Sequence, residues 1–147
     1  MRAIVDTNVL LRYANPNEPQ HGGIVQAVNS LLRNGHDLGH TPQARRELWS
    51  VATGPKEVNG LGADPVEANI MLQTIDASIS LWDDVPGIAE EGQRLVVSLY
   101  IRGQQVHDAN HAAAAIVHSA THVLTLNKRD FERFKRFGLV PITPDDV

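Results

Sequence analysis

Short apolar runs that alternate with segments of helical periodicity constrain the fold of this chain more than any other feature. The clearest runs are Arg2–Val5 and His122–Leu126. Buried strands of a parallel sheet are continuously apolar because helices cover both of their faces. Between these runs, apolar residues recur at spacings of three and four, as on one face of a helix. The alternation predicts a three-layer α/β/α domain with a central parallel sheet.

Weaker patterns complete the expected order of elements. Short strands are expected at 37–40, 81–82 and 139–142. Helices are expected after the capping residues Asp6-Thr7-Asn8, over Ile24, Val28 and Leu31, and after Thr41-Pro42. Further helices should carry Ala68, Met71, Leu72, Ile75 and Ile79, then Ile88, Leu95, Val96 and Leu99, and a last alanine-rich helix should begin at Asp108. A loop rich in glycine and proline separates two of them at 54–65.

Composition excludes several classes of protein. The 147 residues suit one domain over 1–147 with a real core, and 42% of them are hydrophobic. The absence of cysteine excludes disulfides, a cysteine nucleophile and a thiolate zinc site. Asp6 interrupts the first apolar run too early for a signal peptide, and no run approaches the roughly 18 apolar residues of a membrane span. We therefore expect a cytoplasmic protein without membrane contact, whose net charge of -4 disfavours a general polyanion-binding surface.

Four acids are candidates for one site. Asp6 follows the first strand, and Asp130 lies four residues beyond the run that ends at Leu126. Ligands of such sheets bind beyond the carboxyl ends of the strands. Asp108 is expected at a helix start, where the helix dipole favours a negative charge. Glu47 borders the apolar stripe of its helix and therefore needs a partner.

Acids that converge at one sheet edge require a counter-charge. Two like charges about 4 Å apart cost roughly 4 kcal/mol at an effective dielectric of about 20. Mg²⁺ or Mn²⁺ prefers oxygen ligands, which an all-carboxylate site provides. Such an ion can polarise a phosphodiester and generate hydroxide, so convergence would predict phosphodiester hydrolysis. Each acid also has an ordinary interpretation: Asp6 and Asp108 as helix caps, and Glu47 and Asp130 as solvated helix residues.

Four ordered motifs resemble those of PIN-domain ribonucleases, a family that includes the toxins of many prokaryotic toxin–antitoxin pairs (VapC-like). They are Val5–Leu11, Arg46-Glu47-Leu48, Val106–Ala114 and Leu124–Phe131. The resemblance implies a PIN-like fold and a metal-dependent endoribonuclease. It implies Asp6, Glu47 and Asp108 as metal-binding catalytic acids, with Asp130 as a fourth acid of variable role. It also implies an RNA substrate, a homodimer and a small antitoxin partner.

Side chains around the acids receive supporting roles. By the same resemblance, Thr7, Asn8, Thr125 and Asn127 would hydrogen-bond the carboxylates or metal-bound waters. His111 is expected to pack or hydrogen-bond near the site, one turn from Asp108. A dense basic segment, residues 128–136, flanks Asp130, and its Lys128, Arg129 and Arg133 could bind RNA phosphates. The same segment could instead be a solvated helix face or a docking surface for an acidic partner.

Other chemistries have weaker support in the sequence. His107, His111 and His118 have helical spacing, but a zinc site lacks the H-E-x-x-H pattern. A phosphatase that uses Asp6 as its nucleophile is disfavoured because Asn8 stands where a second aspartate would be expected. Trp49 and Trp82 are expected in the core or an interface rather than on RNA bases. A non-catalytic PIN-like module that binds RNA or protein remains the main alternative to an enzyme.

Overall fold

The computed structural model describes residues Met1–Val147, and a five-stranded parallel sheet forms its centre. The strands are β1 (Arg2–Val5), β2 (Asp37–His40), β3 (Ser80–Leu81), β4 (His122–Leu124) and β5 (Val140–Ile142). Their order in the sheet is β3-β2-β1-β4-β5, and every neighbouring pair is parallel. The first strand of the sequence is therefore the central strand, and all carboxyl ends meet at one edge.

Seven α-helices connect the strands. They are α1 (Thr7–Ala14), α2 (His21–Arg33), α3 (Pro42–Thr53), α4 (Pro65–Asp76), α5 (Ile88–Ser98), α6 (Val106–Val117) and α7 (Lys128–Phe131). Four short 3₁₀ turns lie at Lys56–Val58, Gly103–Gln105, Glu132–Phe137 and Pro144–Asp146. None of the helices combines the length and the apolar character that a membrane crossing needs.

The alternation of side chains along β1 divides the core into two layers. Ala3 and Val5 join a cluster of buried residues from α1 to α4, whereas Ile4 joins a second cluster from α5, α6 and α7. Successive residues of a strand point to opposite faces of the sheet, so helices on both sides explain the continuous apolar run. The predicted three-layer α/β/α class is confirmed.

Capping residues set the first residue of each of two helices, α1 and α3, at the carboxyl edge of the sheet. The Asp6 side chain accepts a hydrogen bond from the Thr7 N–H at the start of α1. The Thr41 hydroxyl accepts one from Ala44 N–H, and Pro42 occupies the first position of α3, as predicted. An N-terminal cap of this kind contributes about 1 kcal/mol. Both helices therefore begin at the strand ends that precede them.

Several predicted boundaries are wrong by a few residues. α6 begins at Val106 rather than Asp108, after a 3₁₀ turn that already has near-helical geometry, so Asp108 lies inside its first turn. α4 ends at Asp76, and Ile79 packs into the core from the segment that follows. The predicted strand at 81–82 is formed at Ser80–Leu81, and β4 ends at Leu124 instead of Leu126.

Trp82 covers the sheet where β2 has a glycine. Its indole, 7% exposed, stacks under the guanidinium of Arg2, whose carbon lies 4.2 Å from the ring centroid. A Cβ atom on Gly39 would lie 2.0 Å from this ring. Gly39 is therefore required by the close approach of Trp82 and not by its backbone conformation.

We expect Gly39→Ala to lower the free energy of unfolding by about 1–3 kcal/mol, because the indole must move out of a packed layer. Gly23→Ala is the matched control, since a Cβ there meets nothing within 4 Å. It should leave stability unchanged or raise it by up to about 1 kcal/mol. Urea unfolding of both variants measures the difference, and equal stabilities would contradict the proposed contact.

Candidate active site

The ends of β1 and β4 place the first acid. Asp6 follows β1, and its backbone N–H donates to the Leu124 carbonyl over 2.9 Å. Its carboxylate accepts hydrogen bonds from the Thr7 N–H and from the Thr125 hydroxyl, each over 2.8 Å. Only 9% of the residue is exposed. Two neighbouring strand ends therefore hold a nearly buried carboxylate at the carboxyl edge of the sheet.

Glu47 reaches the same place from α3. Its Oε2 accepts from the Thr7 hydroxyl over 2.7 Å and lies 3.2 Å from His111 Nε2, and its Oε1 accepts from Gln43 Nε2 over 2.8 Å. Partial burial raises the pKa of Glu47, but the hydrogen bonds from His111, Thr7 and Gln43 outweigh it and hold the pKa at about 2. Glu47 is therefore an anion at neutral pH.

His111 is the basic side chain within this group of acids. It is 3% exposed on α6. Burial lowers its pKa, but the bond to Glu47 and the negative charges of Asp6, Glu47 and Asp108 outweigh burial and raise it. Its Nδ1 is buried without a hydrogen-bond partner. We call Asp6, Glu47 and Asp108, together with His111, the acidic cluster.

Burial and neighbouring negative charges destabilise the charged forms of the two aspartates in the acidic cluster. Burial raises the pKa of Asp6 against the opposing effects of His111, Thr125 and Thr7. Burial also raises the pKa of Asp108, and the negative charges of Asp6 and Asp130 raise it further. The imidazole of His111 only partly offsets this repulsion. A further cation beside the two aspartates would stabilise their charged forms.

The chemistry of these residues fits a hard cation better than zinc. No three His, Asp or Glu side chains stand close enough together to form a ready-made metal cage. Mg²⁺ does not need one, because it keeps several waters and binds through one or two carboxylates. Both Asp6 oxygens accept a single hydrogen bond each and retain acceptor capacity. The donor set therefore suits Mg²⁺ or Mn²⁺ at Asp6 and Asp108.

The remaining predicted residues lie beside the cluster in different ways. Asp130 is exposed in the first turn of α7, and its charge reaches Asp108. Asn8 Oδ1 accepts from Leu126 N–H over 3.3 Å, and Asn127 N–H donates to Thr125 Oγ1 over 3.0 Å. Asn8 and Asn127 thus brace the chain after β4, whereas the predicted bonds from their side chains to carboxylates are not formed.

Sequence reasoning missed two amides that link α3 to α6. Gln43 is buried, and its Nε2 donates to Glu47 and also to the His107 carbonyl over 3.1 Å. Its Oε1 accepts from Asn110 Nδ2. The spacing of four between Gln43 and Glu47 was a usable signal for their contact. The partnership with Asn110, 67 positions away, leaves no local pattern.

Only some of the basic residues in segment 128–136 form contacts with other side chains. Lys128 Nζ pairs with Asp146 over 3.1 Å, and Arg133 donates to Gln105 over 3.2 Å. Arg129 is exposed and forms no ion pair. The positive charge of Arg133 also lowers the pKa of Asp108, so this arginine lies near the acidic cluster. Positive charge is therefore present beside the acids despite the net negative chain.

The histidines do not assemble a zinc site. His107 is exposed, His111 is bound to Glu47, and His118 Nε2 contacts the Asp83 carbonyl over 2.8 Å. Trp82 is buried, and Trp49 packs against the core, as expected for both.

A comparison with models of protein families identifies the family of this chain. The model of the PIN domain matches residues 3–137, which include all four acids. The chain belongs to the PIN domain family. No curated protein matches it.

Solved structures of other PIN proteins share the fold. This PIN domain is similar to VapBC2 from Rickettsia felis bound to a promoter DNA fragment, with a TM-score of 0.73, 17% identity, and 97% of this chain and 98% of that chain covered. It is also similar to VapBC-1 from nontypeable Haemophilus influenzae, with a TM-score of 0.72, 14% identity, and 99% of both chains covered. The similarity to the sarcin–ricin-loop-cleaving toxin VapC20 from Mycobacterium tuberculosis has a TM-score of 0.58 and 13% identity. It covers 82% of this chain and 86% of that chain. At such identities these matches show a shared fold.

In this PIN domain, Gln43→Leu should raise the pKa of Glu47, because the carboxylate loses one of the donors that stabilise its charge. Carboxyl carbon NMR of Glu47 during an acid titration measures the shift. Gln73→Leu, an exposed substitution on α4, is the control. An unchanged Glu47 titration in Gln43→Leu would contradict the role of Gln43.

Proposed function

We propose that this PIN domain is a divalent-metal-dependent endoribonuclease that hydrolyses RNA phosphodiester bonds. Asp6, Glu47, Asp108 and Asp130 would be its catalytic and metal-binding acids, with Mg²⁺ or Mn²⁺ as cofactor. The observation that carries the proposal is the meeting of Asp6, Glu47 and Asp108 around His111 at the carboxyl edge of the sheet. Ligands of open α/β sheets bind at this edge.

The contacts of each residue indicate the role it would have in this reaction. Asp6 and Asp108 would hold the cation, whose charge polarises the phosphodiester, activates a bound water and stabilises the leaving oxygen. Glu47 is fixed by three side-chain donors and would orient water or cation beside them. The Thr7 hydroxyl would hold the partly buried carboxylate of Glu47 in place, and the Thr125 hydroxyl the buried carboxylate of Asp6. The contact of His111 Nε2 with Glu47 Oε2, over 3.2 Å, would keep α6 and α3 together at the site.

The fold neighbours support a toxin with a protein inhibitor. Two of them are VapBC complexes, and one is described as a toxin that cleaves the sarcin–ricin loop. We include in the proposal that this chain is the toxin of such a pair, binds a small antitoxin, and forms a homodimer. Copurification with the product of an adjacent small reading frame would test the partner.

A non-catalytic RNA- or protein-binding module is the second candidate. It is favoured by the absence of a ready-made metal cage and by the hydrogen bonds that already occupy both Glu47 oxygens. In such a protein, Asp6→Asn would leave RNA binding unchanged, and only changes in the basic segment 128–136 would abolish it.

We expect the purified protein to cleave RNA with Mg²⁺ or Mn²⁺ and to lose cleavage in EDTA. Asp6→Asn and Asp108→Asn should each lower the rate at least about a hundredfold, the scale of removing a key electrostatic group. Asp84→Asn, an exposed acid after β3, should match the wild type. Gel analysis of single-stranded and structured RNA measures cleavage.

The outcomes of this experiment separate the two candidates. Cleavage that survives Asp6→Asn and Asp108→Asn would show that another site or a contaminant is responsible. If the wild type is inactive, calorimetric titration with Mn²⁺ follows. Wild-type binding that both variants lose would support the site and indicate the wrong RNA, whereas an absence of binding would favour the non-catalytic module.

Arg129→Ala and Arg133→Ala should weaken RNA binding and make it less sensitive to salt. Each lost phosphate contact should reduce the log–log salt slope by about 0.7 for a single strand. Arg33→Ala, an exposed arginine at the end of α2, should change neither quantity. Filter binding across a salt series measures both. Equal slopes in all proteins would contradict a phosphate-binding role for the segment.

A further inference from the structure

An open groove lies beside Glu47, one member of the acidic cluster. It has a volume of about 430 Å³ and is lined by Glu47, Gln43, Arg46, Val106, His107 and Asn110. The carboxylate of Glu47 and the exposed guanidinium of Arg46 share this opening. A phosphate that approached the cluster would therefore have a cation beside it.

A cleft between α5 and α6 adjoins this groove. This second cavity, about 270 Å³, shares Val106 and Asn110 with the first. Its walls are largely apolar, with Val96 and Ala109, and Gln93 adds an amide. An apolar slot with a few polar groups is the usual form of a small-molecule or base pocket.

Asn110 directs an acceptor into this cleft. Its Nδ2 donates to Gln43, while its Oδ1 faces Gly92 of α5, 4.0 Å from where a Cβ on that glycine would lie. Glycine inside a helix costs about 1 kcal/mol relative to alanine, so its presence here calls for a reason. A longer side chain at position 92 would extend towards Asn110 and fill the cleft.

Beyond the cleft, the surface ends at an exposed aromatic ring. A third depression shares Val96 with the second cavity and is lined by Tyr100 and Arg102. Tyr100 is 82% exposed, and its φ of 52° is unusual for a residue of this size. This conformation closes the C-terminus of α5, where the Ile101 N–H donates to the Val96 carbonyl over 3.0 Å. A ring of this kind offers a stacking platform for a base.

We propose that these three connected depressions, from Glu47 through Asn110 to Tyr100, form a track for single-stranded RNA. The α5–α6 cleft takes one unstacked base, Asn110 accepts a hydrogen bond from it, and the next base stacks on Tyr100. The role of the track, to guide substrate to the acids, rests on the proposed ribonuclease function. RNA is favoured over a peptide because the groove opens beside Glu47 of the acidic cluster and has an arginine at each end, Arg46 and Arg102.

The test uses a short single-stranded RNA that carries a fluorescent aminopurine base, bound in EDTA so that no cleavage occurs. Gly92→Leu and Tyr100→Ala should each weaken binding about tenfold, within the range found for loss of one stacked base. Tyr100→Phe should restore wild-type affinity, because stacking needs the ring and not the hydroxyl. Exposure of Tyr100 makes its variants safe for folding even if Gly92→Leu is unstable.

Two results would overturn the track. Wild-type affinity in both Gly92→Leu and Tyr100→Ala would show that RNA does not follow this path. Unchanged RNA affinity together with a change of sedimentation in Tyr100→Ala would show that the face contacts a second copy of the chain. If metal-dependent cleavage fails while Gly92→Leu and Tyr100→Ala still weaken RNA binding, the hydrolytic function is overturned but the RNA track is supported.

Discussion

The burial of the Asp6 carboxylate is the constraint on which the rest of the candidate site depends. Removing a carboxylate from water destabilises its charge, and burial accordingly raises its pKa. The Thr7 N–H, the Thr125 hydroxyl and the positive charge of His111 act against that penalty. These groups come from α1, the end of β4 and α6, so the chain can stabilise Asp6 only by bringing all three together.

Glu47 extends the same arrangement to α3. The helix is started by the Thr41 cap at the end of β2. In its first turn, Gln43 ties Glu47, one turn further on, to the backbone of α6. His111 then contacts Glu47 from α6 itself. The acids are thus placed by the sheet edge, and their spacing is maintained by hydrogen bonds between helices on opposite sides of it.

The features that depend on local sequence patterns were predicted correctly, whereas contacts between residues far apart in the sequence were missed. Apolar runs and caps predicted the layers, and the position of Asp6 after a strand predicted its place at the edge. The metal-binding roles of Glu47 and Asp108 came mainly from family resemblance, since the apolar stripe beside Glu47 and the helix start at Asp108 do not show that the two acids meet. The Gln43–Asn110 contact was not predictable, because it depends on how α3 and α6 pack.

We propose that the acidic cluster binds a divalent cation through Asp6 and Asp108. A crystal structure of the wild-type protein with Mn²⁺, analysed by its anomalous signal, tests this most directly. We expect a peak between the carboxylates of Asp6 and Asp108, with Glu47 still bound to His111. A peak elsewhere, or none beside Asp6 at a concentration that supports RNA cleavage, would contradict it.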